Sequence, residues 1–340
     1  MGSTQFVFQA VRGIQAGMEY FVTMVPLDCL PKLFVFCDAE LPASMRAQRT
    51  LNKARIPAIR DYILKNPTSY VFSALTASVD GEIRFTPIGA ESSSIGTISI
   101  DSTSKLLIND GQHRRAAITE ALKQNSDLKY EHIPIVLYHD IGLKRSQQIF
   151  ADLNKYALRP THSLNIMYDN RELYSKIAKE VVSTVPTFDG LVDFEHTAIS
   201  NKSRALFTLS AIYGGTKALL VDNNGNYDEK KCLAIQFWNA VSCNMNDWND
   251  VKNGKLKAYI VRQQTLASLS ITIKGLGTVG AEMIRDFPDD WEKRLENLST
   301  FNWRKDNPCW KDGIVVDGSV VSSRATQKVM EHILRDILKG

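Results

Sequence analysis

The stretch Lys105-Leu106-Leu107-Ile108-Asn109-Asp110-Gly111-Gln112-His113-Arg114-Arg115-Ala116-Ala117-Ile118 sets the expected fold. Its apolar run to Ile108 has the length of a buried strand, and Asn109-Asp110-Gly111 breaks that strand. Gln112 to Lys123 then carries Ala117, Ile118, Ala121 and Leu122 at helical spacing. The pattern is strand, tight turn, helix. Amides in a helix's first turn lack intrahelical acceptors and attract an anion, usually phosphate. Arg114 precedes Ala117 by three and Ile118 by four, at the N-terminal end of the buried face. A guanidinium there needs an anionic partner. That partner is either a ligand or an internal acid, Asp110 or Asp152. Asp110 reads as a helix cap or as a group orienting a metal-bound nucleotide. His113 reads as a proton shuttle, a phosphate donor or a satisfied histidine at a helix start. These two are the candidates for any catalytic role.

Downstream, Ile133 to Tyr138 is a buried strand. Lys144 to Ala157 is a second helix with Ile149, Phe150, Leu153, Tyr156 and Ala157 inward. Upstream, Val71 to Val79, Asp80-Gly81 and Glu82 to Phe85 read as strand, tight turn, strand. Ile95 to Ile100 and Lys105 to Ile108 read as strands about the turn 101–104. Alternating strands and helices predict an α/β (α+β) domain. Residues 45–65 form a basic helix with Ile56, Ile59, Ile63 and Leu64 on one face. Residues 1–44 are strand-rich and broken by prolines. Beyond 165 helical spacing dominates, at 170–183, 202–220, 230–245, 256–286, 289–299 and 325–338, with a polar loop at 221–231. Gly275, Gly277 and Gly280 suggest a buried hairpin, or a helix-turn-helix, within 265–284. The expected divisions are 1–44, 45–165 and 166–340.

The chain has 340 residues, 44% hydrophobic and 23% charged, which excludes wholesale disorder. Lys+Arg is 41 against Asp+Glu 37, a net charge of +4 that neither establishes nor opposes a nucleic-acid partner. Positive charge is nonetheless local. Residues 44–65 and 251–285 each carry six basic residues against one acid. On that basis Arg46, Arg49 and Lys53, and then Lys255 and Lys257, are the candidate DNA contacts. The five cysteines (29, 37, 232, 243, 309) form no Cys-x-x-Cys pair and have no histidine at finger spacing, so free thiols and no metal site are expected. The most apolar run, Tyr20 to Cys37, is cut by Pro26, Asp28, Pro31 and Lys32. With no leader-like start, a cytoplasmic protein without a membrane partner is expected. The five tryptophans read as core or inter-domain packing rather than base-stacking platforms.

Asp110-Gly111-Gln112-His113-Arg114 resembles the signature of the DGQHR-domain proteins, best known as the DndB proteins of DNA phosphorothioation (DNA sulfur-modification) gene clusters. Gly111, Arg114 and Ala117 are similar to the Gly-x-x-Arg-x-x-Ala turn of the ParB and sulfiredoxin superfold, which binds nucleotide phosphates. Residues 149–160 resemble the ParB-like helix that ends in an Asn before a basic, proline-marked turn. The resemblance therefore implies a ParB-like core over 45–165. It also implies a phosphate or nucleotide pocket of Gly111, Gln112, His113, Arg114, Asn154 and Arg159, with ATP and magnesium as the implied cofactors. Sulfiredoxins carry a catalytic Cys where this chain has Gln112, so that enzyme reading fails. The implied function is a DNA-binding transcriptional regulator, a repressor acting on double-stranded DNA at the promoter of its own gene cluster, as a possible homodimer. The alternative implied is a nucleotide hydrolase or DNA-nicking enzyme of the same system. Cys29, between Asp28 and Pro31, corresponds to a cysteine implied in regulation.

Overall fold

The computed structural model describes residues 4–34, 52–90, 93–155, 160–310, 313–316 and 318–339. Arg46, Arg49, Arg159 and Cys37 lie outside the described residues. The chain is mixed α/β and forms two compact units, residues 1–158 and 159–340.

The first unit is built on a seven-stranded mixed sheet. Its strands are β1 (Gln5–Gln15), β2 (Met18–Pro26), β3 (Leu75–Asp80), β4 (Ile83–Pro87), β5 (Ile95–Asp101), β6 (Lys105–Asp110) and β7 (His132–His139). The order is β4-β5-β1-β2-β7-β3-β6, and only the β3–β7 pair is parallel. Residues 1–44 thus contribute two inner strands to the sheet that carries Asp110. One side buries Phe21, Val25, Leu75, Ala77, Val79, Ile98 and Ile100 with Ile118 and Ala121 of the helix after β6.

The strands flanking Asp80-Gly81 do not pair with each other, contrary to the sequence reading. β3 pairs with β6 (Asp80 opposite Lys105), and β4 pairs with β5 (Ile83 opposite Ile100). Residues 75–110 are therefore one long hairpin bent midway, at Gly81 on the outgoing arm and Ser102–Ser104 on the return. A polar pair with glycine signals a change of direction, and here the change is a bend. The bend also shapes the sheet. β3 and β4 stand five places apart in the order, about 24 Å on a flat sheet at ~4.8 Å per strand. The two linking residues span only about 10 Å. The sheet must curl until its ends approach.

The longer helices described in this unit are α1 (Ile56–Lys65), α2 (Gln112–Gln124) and α3 (Ser146–Lys155). α1 packs on α2, and Arg60 bonds both Asp61 beside it and Glu120 of α2. On α3, Ile149 and Phe150 are half-buried, but Leu153 is 42% exposed rather than inward. The helix buries Ser146 at its start instead, held by Asp140.

The second unit is helical, with α4 (His162–Tyr168), α5 (Leu173–Thr184), α6 (Leu209–Leu220), α7 (Tyr227–Cys243), α8 (Asn246–Lys252), α9 (Ala258–Gln264), α10 (Ser270–Asp286) and α11 (Arg324–Lys339). All five tryptophans are buried here. The glycine-rich stretch is one helix, α10, and not a hairpin or helix-turn-helix. Its glycines permit close approach: a Cβ on Gly277 would overlap the Gly215 carbonyl of α6. α7 begins inside the expected loop because Asn226 and Glu229 form a capping box, a signal the periodicity reading passed over. Among the described residues, no helix is long and apolar enough to cross a membrane.

Candidate functional site

The turn after β6 is set by a bulge. Thr76 lies opposite Asp110 and Ala77 opposite Ile108, so Asn109 is the extra residue. Asn109 is 1% exposed and donates to Ser78 Oγ at 2.7 Å, while its Oδ1 has no partner among the described residues. Gly111 follows at φ +97° as the N-cap of α2. A side chain there would be strained, and its Cβ would overlap the Leu75 side chain. Because Gly111 is the cap, Asp110 is not. Among the described residues no side chain caps α2, and the amides of its first turn have no intrahelical acceptor.

Arg114 has found an internal partner, and it is Asp110. One guanidinium nitrogen donates to Asp110 Oδ2 at 2.6 Å. The other donates to Ser73 O at 2.5 Å, Ser73 Oγ at 2.6 Å and Ala74 O at 2.9 Å. The side chain is only 17% exposed. Arg114 therefore ties the approach to β3 onto the turn. Ser73 and Ala74 carry no sequence mark of this role, because they stand some forty residues away.

His113 accepts a hydrogen bond at Nε2 from the Asn52 backbone N–H, at 3.0 Å. Burial, then the nearby Arg55, push its pKa below the usual histidine value. This contact brings the turn Lys53–Arg55, which leads into α1, to the DGQHR segment. Lys53 and Arg55 are both exposed. Gln112 Nε2 is 3.4 Å from Ile108 O, a long contact.

Other candidates are dispersed. Asn154 is exposed and donates to Phe150 O of its own helix at 2.8 Å, although α3 as a whole lies against β6. Cys29 is half-buried among residues packed on the sheet core. Burial, then the neighbouring Asp28, push its thiol pKa up against the opposing pull of Lys32. Cys232 and Cys243 are exposed, and the four described cysteines are free thiols. In the second unit Lys255 lies 3.7 Å from Asp250, whereas Lys257 lines a cleft.

The donors at the turn fit a phosphate group: uncapped amides, with Lys53 and Arg55 alongside. The carboxylate of the turn is not free for magnesium. Asp110 is engaged by Arg114, and the described residues hold no cluster of three or more His, Cys, Asp or Glu able to bind a metal.

Fold and turn together define a mixed α/β protein with a glycine-started helix on a curled sheet. A family model described as DndB, DNA-sulfur modification-associated, matches residues 8–340. The chain belongs to the DndB family and so to the proteins associated with DNA sulfur modification. No curated protein and no solved structure gives a significant match.

Proposed function

We propose that this DndB-family chain is a DNA-binding transcriptional regulator, a cytoplasmic repressor acting at the promoter of a DNA phosphorothioation gene cluster. The carrying observation is the meeting of Lys53, Arg55 and the uncapped start of α2 through the His113–Asn52 bond. Backbone phosphates supply most non-specific affinity, and such a concentration of unspent donors suits them. The test is anisotropy of the protein with duplexes of its own promoter and of random sequence at about 0.15 M salt. Promoter preference with steep salt dependence supports the regulator reading, and equal affinity for both duplexes removes it.

The same uncapped turn supports a second reading, a nucleotide held by its phosphates at Gly111 to His113. Arg114 shapes that site as a positioning residue, since its donors are engaged. Melting curves with a nucleotide panel, with and without magnesium, test it. Stabilisation independent of magnesium is expected, and no stabilisation by any nucleotide rejects it. Neither candidate catalytic group favours hydrolysis: Asp110 is paired with Arg114, and His113 Nε2 is occupied by an amide.

A further inference from the structure

The second unit contains a cleft of about 440 Å³ whose rim carries Lys202, Arg204, Lys252, Lys257 and Tyr259, with Asp189 as its one acid. Asp189 is already neutralised. Lys252 Nζ donates to its backbone carbonyl at 2.6 Å and lies 3.3 Å from its Oδ2. Lys202, Arg204 and Lys257 are exposed, and none has an acidic partner among the described residues. They come from separate parts of the sequence, the loop before the short strand Phe207–Thr208 and the residue before α9. Only Lys257 belongs to a basic run in the sequence.

Isolated surface lysines are usually just solvated, but two features set this group apart. The first is a fixed platform. Arg262 of α9 reaches under the 200–205 loop and donates to the carbonyls of Ser200 (2.7 Å), Ser203 (3.4 Å) and Ala205. Burial lowers its pKa, so the guanidinium gives up solvation to hold that loop. Lys202 and Arg204 therefore project from a stapled loop. The second is a concave surface, where Lys202, Arg204 and Lys257 converge while the one lining acid, Asp189, is engaged by Lys252. Such an arrangement costs energy through mutual repulsion unless an anion relieves it. An aromatic hydroxyl at the rim adds a donor suited to phosphate oxygen.

We propose that this cleft holds the phosphodiester backbone of duplex DNA, with Lys202, Arg204 and Lys257 as the phosphate contacts. The inference rests on the DNA-binding reading above and assigns that binding a place in the helical unit. Free inorganic phosphate shares the same chemistry, so the experiment must separate the two sources.

The test compares wild-type protein with the triple variant Lys202→Ala, Arg204→Ala, Lys257→Ala. A matched control, Lys274→Ala, Lys293→Ala, Lys328→Ala, removes three exposed cations outside the cleft. Duplex binding is measured by anisotropy across salt concentration, with melting temperature as the check on folding. Loss of three contacts should flatten the slope of log K against log salt by about 2–3 units, at roughly 0.9 per phosphate. The same fractional loss should hold for promoter and random duplexes, the melting temperature should stay put, and the control should retain most of its slope. A cleft variant that binds as wild type does, or a control that loses as much, overturns the cleft while leaving the regulator reading standing. Wild-type protein that binds no duplex removes both. In a second arm, inorganic phosphate is compared with chloride at matched ionic strength. Phosphate-specific stabilisation lost in the cleft variant, with duplex binding intact, overturns DNA as the ligand in favour of a free anion.

Discussion

Arg114 and Arg262 do the same structural work in different units, and the sequence makes only one of them conspicuous. Each extends a guanidinium under a loop and donates to backbone carbonyls: Ser73 and Ala74 in one case, Ser200, Ser203 and Ala205 in the other. Arg114 also binds a carboxylate, Asp110, so its charge is answered on the spot. Among the described residues Arg262 meets only carbonyls, and the loop it holds carries Lys202 and Arg204 with no acid paired to them. A motif arginine is thus internally satisfied, while one from a basic run supports the more open cationic surface. What an arginine does follows from what its planar fork meets, and sequence spacing does not reveal that.

Four measurements would sharpen or break this pairing. Arg114→Ala should have the largest effect, about 3 kcal/mol lost in urea unfolding, because it strands two carbonyls and an aspartate. Asp110→Asn should recover part of the cost in the double variant, and strict additivity would dissolve the pair. Arg262→Ala should cost about 2 kcal/mol, since no carboxylate is left behind. It should also weaken duplex binding by loosening the 200–205 loop. Unchanged affinity would separate the staple from the cleft.

The third effect is smaller and depends on pH. His113 titrates near 6.5 when unfolded and lower when folded. Between those values the unfolded chain takes up a proton that the folded chain refuses. The stability contribution is therefore full above about pH 6.5 and is lost as pH falls through the folded value. His113→Gln, which keeps an acceptor for the Asn52 amide without titrating, should flatten that acid slope. A slope unchanged by the substitution would assign it elsewhere. The smallest effect is at Cys29, whose raised pKa reduces thiolate at neutral pH. Iodoacetamide should label it more slowly than the exposed Cys232 and Cys243, and faster labelling would point to an activated thiol.

The local grammar was legible. The apolar strand, the glycine and the spacing of Ala117, Ile118 and Ala121 gave strand, turn and helix in their places, and an internal Asp110 partner was among the alternatives for Arg114. Pairing was harder to read, because Asp80-Gly81 and residues 101–104 have the chemistry of hairpin turns and act as bends. Only the partner strand distinguishes the two, and for β3 it lies on the far arm of the hairpin. The cleft was half legible. Lys257 sits in a basic run, but Lys202 and Arg204 have no local excess around them and reach it only through tertiary folding.

The position of β2 has a consequence for the birth of the chain. It pairs with β1 at once through a two-residue turn, but its other edge belongs to β7. On a ribosome adding about 5–20 residues each second, that edge waits for roughly a hundred more residues to be made. Until then the nascent hairpin exposes an open strand rich in apolar side chains, Phe21, Val22, Met24 and Val25 among them, the kind of edge on which neighbouring chains aggregate. Closing so distant a pair makes completion of the sheet a slow, late event. A nascent-chain chaperone would have its greatest effect on yield in the interval before residue 139 emerges.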